Sequence, residues 1–540
     1  MRLGVAACLL LVGPAMLSAC ALTPPQIDSV SPVRGAVNVP TNVPIKIAFA
    51  DPVYRSQVEQ RFSLSPRAQG TFAWKGRVMY FRHSVLASNH VYTVILRSGY
   101  AGPGEMAEPY EHRWTFTTEQ APVISSTDPA RGSDNVSTGV QISIGFTRPM
   151  NLTSLAKAIT SSPHVDFWLT ASSLDPSQVL LTPKTVLSPD TKYILTISRS
   201  AVDAHGNPLR KAQEYDFTTG GQQALSQVVT FLAQPGVGSP PGVVRGVWIT
   251  GSSGLPQLLV GGTFSSYQWD STGTEMLLGM PNQSWALQSI GEGSLQELPF
   301  QATWAAWDPA APAGKAEFLY LTASGDLYLF APPAPDQLLM TGVNLPPAVQ
   351  TQGIYLAAVS GTGVGQAIDV YDLQHLQTVA HFKPGGEVEE LQWSPNGPLL
   401  GYEYFSPAAG QMLLQAQNLA GEGPPTTLAQ GDLSAFAWAA SGSQVVLAAS
   451  LSSSSGDFRC YAVNLAAPAP LVADTVLPAG TSQPCGDPVT SPDGHQIAFI
   501  DSATAAAPVW LMNADGSNPR PLLPEKVASG LTISGVTWSP

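Results

Sequence analysis

The sequence predicts an all-β chain: two small tandem β-sandwiches followed by a β-propeller of about seven blades. Three observations carry that prediction. Glycine (49) and proline (48) are frequent and spread along all 540 residues, so turns come at short intervals throughout, as short antiparallel strands require. Residues 25–220 contain one string of motifs twice, about a hundred residues apart. Beyond residue 222 a Trp-centred turn recurs every 40–50 residues, the period of a four-stranded propeller blade.

Composition narrows the function classes. Charged residues make up 12% and hydrophobic ones 44%, a globular balance, and the length calls for two to four domains. The net charge is −13 and Lys/Arg do not cluster. Nucleic acid and a polybasic membrane contact are therefore excluded as partners. No Gly-x-Ser-x-Gly elbow, His-Glu-x-x-His, P-loop or dinucleotide fingerprint occurs, and the eight histidines are scattered. No catalytic residue, metal ligand or cofactor is assigned on this reading.

The chain opens with Arg2, the apolar run Leu3 to Met16, and Leu17-Ser18-Ala19-Cys20. The run is shorter than the roughly 20 apolar residues of a spanning helix. Leu-Ser-Ala-Cys resembles the lipobox of bacterial lipoproteins. The resemblance implies that residues 1–19 are a signal peptide and that the Cys20 thiol carries a diacylglycerol. Residues 20–25 then comprise the lipidated cysteine and a short tether. The chemistry suits this: Ser18 and Ala19 are small enough for a peptidase, and a thiol is a good nucleophile. Two or three acyl chains anchor firmly. The expected location is extracytoplasmic, on the cell membrane or the outer membrane. Ala21, where Asp retains many such proteins in the inner membrane, points outward in a cell that has an outer membrane.

Residues 26–119 and 120–220 form the duplicated pair. Pro32-Val33-Arg34-Gly35 recurs as Pro129-Ala130-Arg131-Gly132, and Asn38-Val39 as Asn135-Val136, 97 residues on. Ile45-Lys46-Ile47-Ala48-Phe49 recurs as Ile142-Ser143-Ile144-Gly145-Phe146, an alternation that marks a half-buried strand. Leu86…Tyr92 matches Leu187…Tyr193, and Phe116-Thr117-Thr118 matches Phe217-Thr218-Thr219, now 101 residues on. About four residues are thus inserted between Pro163 and Leu187. Short strands with frequent turns over 95–100 residues suit an immunoglobulin-like sandwich, with Tyr193 reaching back as a tyrosine corner. Taken in order, the motifs resemble the bacterial Ig-like domain of the SbsA type. Trp114 and Trp168 are expected in the cores, and Asn151–Thr160 as a helical turn. Asp203-Ala204-His205-Gly206-Asn207 reads as a loop bent at Gly206 rather than as a metal site.

Residues 221–540 carry the blades. The turn is clearest in Trp393-Ser394-Pro395-Asn396-Gly397, with degenerate copies at Trp269–Gly273, Trp438–Gly442 and Thr490–Gly494. Pro presets φ, Asn or Asp caps the turn and Gly takes positive φ, so each copy is a hairpin corner. Repeats starting near 228, 269, 307, 350, 393, 438 and 490 make seven blades. The first lacks a leading strand and the last is followed by a surplus one, Ile533 to Trp538, so the C-terminal strand is expected to complete blade one. A truncated gene model is the rival account. Residues 488–523 resemble the repeat of TolB-like, or WD40-like, propellers. The repeat tryptophans are expected between neighbouring blades. Cys460 and Cys485 could form a disulfide in an exported protein.

The function expected is that of a lipid-anchored, non-catalytic envelope protein. The paired sandwiches act as a stalk, and the propeller meets an unknown envelope protein, peptide or glycan. The alternative is a propeller enzyme acting on envelope or extracellular glycans. It would need carboxylates converging at a propeller mouth, and no convergent acid pair is evident in the sequence.

Overall fold

A computed structural model describes residues 23–540 except 222–223, 237–243, 251–253, 292–294, 313, 352, 422, 451–457, 466–474, 478–484, 502–508 and 529. Cys20 and residues 1–19, expected from the sequence to be a signal peptide, therefore lie outside the described residues. Among those described, no helix is long and apolar enough to cross a membrane.

Each sandwich has two four-stranded sheets. In the first, Ile27–Ser31, Ile45–Phe49, Val78–His83 and Gly70–Lys75 lie side by side in that order. Facing them are Ala36–Val39, His112–Thr118, Val91–Leu96 and Phe62–Ser65. The second sandwich repeats the plan strand for strand. Alternation does what the sequence predicts: Ile45, Ile47 and Phe49 point into one core, Ile142, Ile144 and Phe146 into the other. Trp114 is buried in the first core, its Nε1 donating to the Pro32 carbonyl at 3.1 Å. A short helix crosses each sandwich, Arg55–Arg61 and Leu152–Ala158. Asn151 caps the second by accepting from the Ser154 amide at 3.0 Å.

The duplicated motifs have backbone and hydrogen-bond reasons. Asn38 and Asn135 both sit at left-handed φ, 56° and 55°, which Asn tolerates better than branched residues. In each sandwich the tyrosine hydroxyl accepts from an amide five residues upstream, Tyr92 from Ala87 at 2.9 Å and Tyr193 from Ser188 at 3.0 Å. The closing threonine holds the same corner. Thr118 Oγ1 donates to the Ala87 carbonyl and Thr219 Oγ1 to that of Ser188, at 2.7 and 2.6 Å.

The described residues from 229 onward form seven blades. Val229–Pro235, Gly246–Thr250 and Pro256–Gly261 are joined by Leu531–Trp538, which pairs antiparallel with Val229–Pro235. The chain thus closes the ring by completing blade one, as the strand count predicts. Blades two to four are ordinary hairpin pairs. In blades five and six one long strand, Thr426–Trp438, is shared: residues 426–431 end one blade and 432–438 begin the next. Closure leaves no blade-one edge open on the inner side.

Candidate functional site

Three regions bring polar chemistry together. The first is the seam between the sandwiches. Asp203 Oδ1 accepts from the amides of His205 and Asn207, at 2.9 and 2.8 Å, and Gly206 takes φ 89°, so the segment is the loop turn the sequence predicts. It also reaches across the seam, which the sequence reading missed. Glu119, 1% exposed, receives Arg148 Nη1 on Oε2 at 2.6 Å, and Asn207 Nδ2 on Oε1 at 2.7 Å. His205 Nδ1 lies 2.8 Å from the same Oε1, and Thr41 Oγ1 donates to Asn207 Oδ1 at 2.8 Å. Glu119, Asp203 and His205 place ligand atoms within 4.8 Å of one another, the set among the described residues that could hold a metal. The donors already on those oxygens argue otherwise: Arg148 occupies the place of the cation, and both Asp203 oxygens are engaged. The cluster is a salt-bridged clamp between domains.

The second region joins the second sandwich to the propeller. Leu258 of blade one donates its amide to the Lys184 carbonyl at 2.7 Å, and Val186 donates to the Leu258 carbonyl at 3.0 Å. The sandwich thereby covers the outer edge strand of blade one, the edge that closure leaves unpaired. Trp168 corrects the core expectation. It is half-buried at this joint, its Nε1 donating to the Pro256 carbonyl at 2.9 Å and Lys184 Nζ lying 4.6 Å from its ring.

The third region is the inner wall of the ring. The first strands of successive blades neighbour one another there, and the repeat tryptophans tie them. Trp393 Nε1 donates to the Ala348 carbonyl, Trp438 to Gln392, and Trp538 to Val489, at 3.0, 3.1 and 3.2 Å. Each bond reaches one blade back, so these rings are inter-blade packing, as expected. Trp307 departs from the rule and packs on Phe318, ring centroids 4.9 Å apart. The hairpin corners also behave as predicted: Gly273, Gly397, Gly442 and Gly494 all have positive φ.

On this wall the structure supplies an acid pair that the sequence reading did not find. Glu390, in the first strand of blade five (Glu387–Trp393), stands opposite Glu403 in the second (Leu399–Ser406). Residues directly opposite in antiparallel strands project from the same face. Glu403 is 3% exposed and its Oε2 has no hydrogen-bond partner. Glu390 is half-buried and accepts from Gln392 Nε2 at 2.6 Å. Burial pushes both carboxyls up to about 7; Asp487 adds to the effect at Glu390, and Glu390 with Glu389 adds to it at Glu403. The signal was in the register. Trp393 pairs with Leu400 across the Ser-Pro-Asn-Gly corner, and counting three residues outward on each strand lands on the two glutamates.

Cys460 and Cys485 are bonded to each other, Cα atoms 5.2 Å apart, and tie blade six to the strand that opens blade seven.

Residues 21–118 and 119–219 each match the bacterial Ig-like domain, so the two N-terminal sandwiches are bacterial Ig-like domains. No curated protein matches the chain. Among solved structures, TolB from Acinetobacter baumannii is similar at 10% identity and TM-score 0.35, covering 71% of this chain and 83% of that one. The Cps50 (Swd1) β-propeller domain of Myceliophteria thermophila is similar at 13% identity and TM-score 0.35, covering 48% and 90%. A nidogen/laminin complex gives 12% identity and TM-score 0.33, covering 58% and 98%. The propeller assignment rests on the strand order described above.

Proposed function

We propose that this protein is a lipid-anchored component of the cell envelope whose propeller binds a protein, peptide or glycan without transforming it. Cys20 holds it at the membrane, the two Ig-like domains act as a stalk, and the ring is the binding head. The observation that carries this reading is the way the parts are joined. The stalk is clamped at Glu119–Arg148 and bonded by backbone to the outer edge of blade one. Stalk and ring are thus fixed to each other along the circumference, and ligands meet propellers at the loops around a mouth of the channel.

The acid pair Glu390–Glu403 gives the glycan-enzyme reading one point of support. A glycosidase needs both carboxyls at the sugar, one on each side of the scissile bond. Glu403 is 3% exposed, so it has no face to offer a sugar ring, and binding is the better reading.

Two measurements test it. Cys20→Ser should abolish lipid labelling and release the protein from membranes; a labelled, membrane-bound variant refutes the anchor. The full chain, used as bait in envelope extract, should retain a specific partner that the Ig-like pair alone does not. Retention of nothing, together with release of reducing sugars from envelope glycan, would overturn the binding reading in favour of the enzyme.

A further inference from the structure

We infer that the inner wall of blades five to seven is a site for an organic cation, the guanidinium or ammonium of an arginine or lysine side chain presented by a partner polypeptide. This rests on the reading of the propeller as the binding head and names the chemistry it recognises.

The site is built from register. The first strand of blade five carries Glu387, Glu389 and Glu390; that of blade six begins at Asp432; that of blade seven carries Asp487. Glu390 and Asp487 each stand three residues before the Trp or Trp-equivalent position, and Glu387 and Asp432 each stand six before it. Successive first strands run in the same direction around the ring, so these acids collect at one end of the channel wall. Among the described residues no ion pair engages any of them, whereas Glu119, Asp216 and Glu111 each have an Arg or Lys. Lys383 and Arg459 lie at the same end but off the inner strands, one in the loop before blade five and the other on the third strand of blade six.

The second observation is Glu403. It stands behind Glu390, nine-tenths buried and more, and its Oε2 has no partner. A buried carboxylate oxygen left unpaired is costly, and two carboxyls facing each other cannot both ionise cheaply. The raised pKa of both is the same fact in another form. A cation against the half-buried Glu390 relieves both costs, because it meets the first carboxylate directly and screens the second. A guanidinium fits better than a metal ion. Glu390 already accepts from Gln392 Nε2 and the Phe436 amide, and a guanidinium's donors, spread over a plane, reach it together with a neighbouring carboxylate of the wall and lose less in leaving water. The inner-wall acids also do not form a three-ligand set within 4.8 Å, the one such set among the described residues being at Glu119.

The experiment uses the full chain and a dye-labelled Gly-Gly-Arg-Gly-Gly peptide, with the same peptide carrying citrulline as the neutral isostere. Fluorescence anisotropy at low salt should show the arginine peptide binding about tenfold or more tighter than the citrulline peptide. In the Glu390→Gln/Glu403→Gln variant that preference should vanish. A Glu297→Gln/Glu317→Gln variant, with the same change in net charge, should keep it. Equal binding of the two peptides overturns the inference, and so does a preference that survives in Glu390→Gln/Glu403→Gln. A calcium-dependent rise in Tm that Glu403→Gln removes, without preference for arginine, assigns the acids to a metal and also overturns it. Should the double variant fail to fold, Glu390→Gln alone, at the half-buried position, serves the same comparison. A partner that the chain captures equally well with both glutamates replaced and at high salt would leave the binding head standing and remove the cation site.

Discussion

Glu403 and Glu390 make a sharp prediction at the scale of the residue. Each carboxyl starts from 4.5 in the unfolded chain and rises to about 7 in the fold. Between those values the folded state holds more protons than the unfolded one, so stability falls as pH rises through that window and levels off above it. Glu403→Gln removes one of the two groups and keeps its shape. Urea unfolding should find the variant more stable than the parent at pH 8, by about 1–3 kcal/mol. The gap should shrink as pH falls from about 7 toward 4.5 and close below it, where the parent's carboxyl is protonated in both states. A gap of equal size at both pH values would mean that the glutamate is not titrating in this window. The pair was legible in principle, since one well-marked hairpin corner fixes which residues face each other. It was overlooked because motif reading looks for residues near in sequence, and these chemical partners meet only through a sheet register.

At the scale of the element, the repeated corner explains why so short a set of motifs predicted both sandwiches. The tyrosine hydroxyl and the closing threonine hydroxyl bind the same stretch of backbone in each copy, at Ala87 and at Ser188. Replacing Tyr193 by Phe keeps the ring packed on Phe217 and removes only the acceptor for the Ser188 amide. The expected loss is about 1 kcal/mol, seen as a lower denaturation midpoint of the second Ig-like domain. The matching change at Tyr92 should cost a similar amount, and the two should add, because they lie in separate cores. A loss of several kcal/mol would show that the ring and not its hydroxyl holds the corner. What the motifs could not report is what the same elements do between domains. Trp168 sits on an alternating strand and reads as core, yet its indole N–H is spent on Pro256 of the propeller. His205 reads as a turn residue, which it is, yet its ring meets Glu119, 86 residues away in the chain. Local pattern reports the face a residue points from, and an interface between domains uses the same face as a core.

Over the whole molecule, stability is organised by two closures. One is the strand Leu531–Trp538, which occupies the inner edge of blade one; the other is the second Ig-like domain, which covers the outer edge of that blade at Leu258. Blade one is therefore assembled from both ends of the described propeller residues and bonded by backbone to another domain, and the ring depends on it. Removing residues 531–540 would strip the inner strand, expose Val229–Pro235 as an unpaired edge, and delete Trp538, whose indole ties blade one to Val489 of blade seven. An open edge of this kind invites pairing with another chain. The truncated protein should elute from size exclusion as oligomers or aggregate, and should lose the cooperative thermal transition of the propeller. The Ig-like pair, with its own cores and the Glu119–Arg148 clamp intact, should still melt as before. A truncated chain that remains monomeric, with both transitions unchanged, would show that the other blades hold the ring without this strand, and closure would then have to rest on the indole bonds between neighbouring first strands.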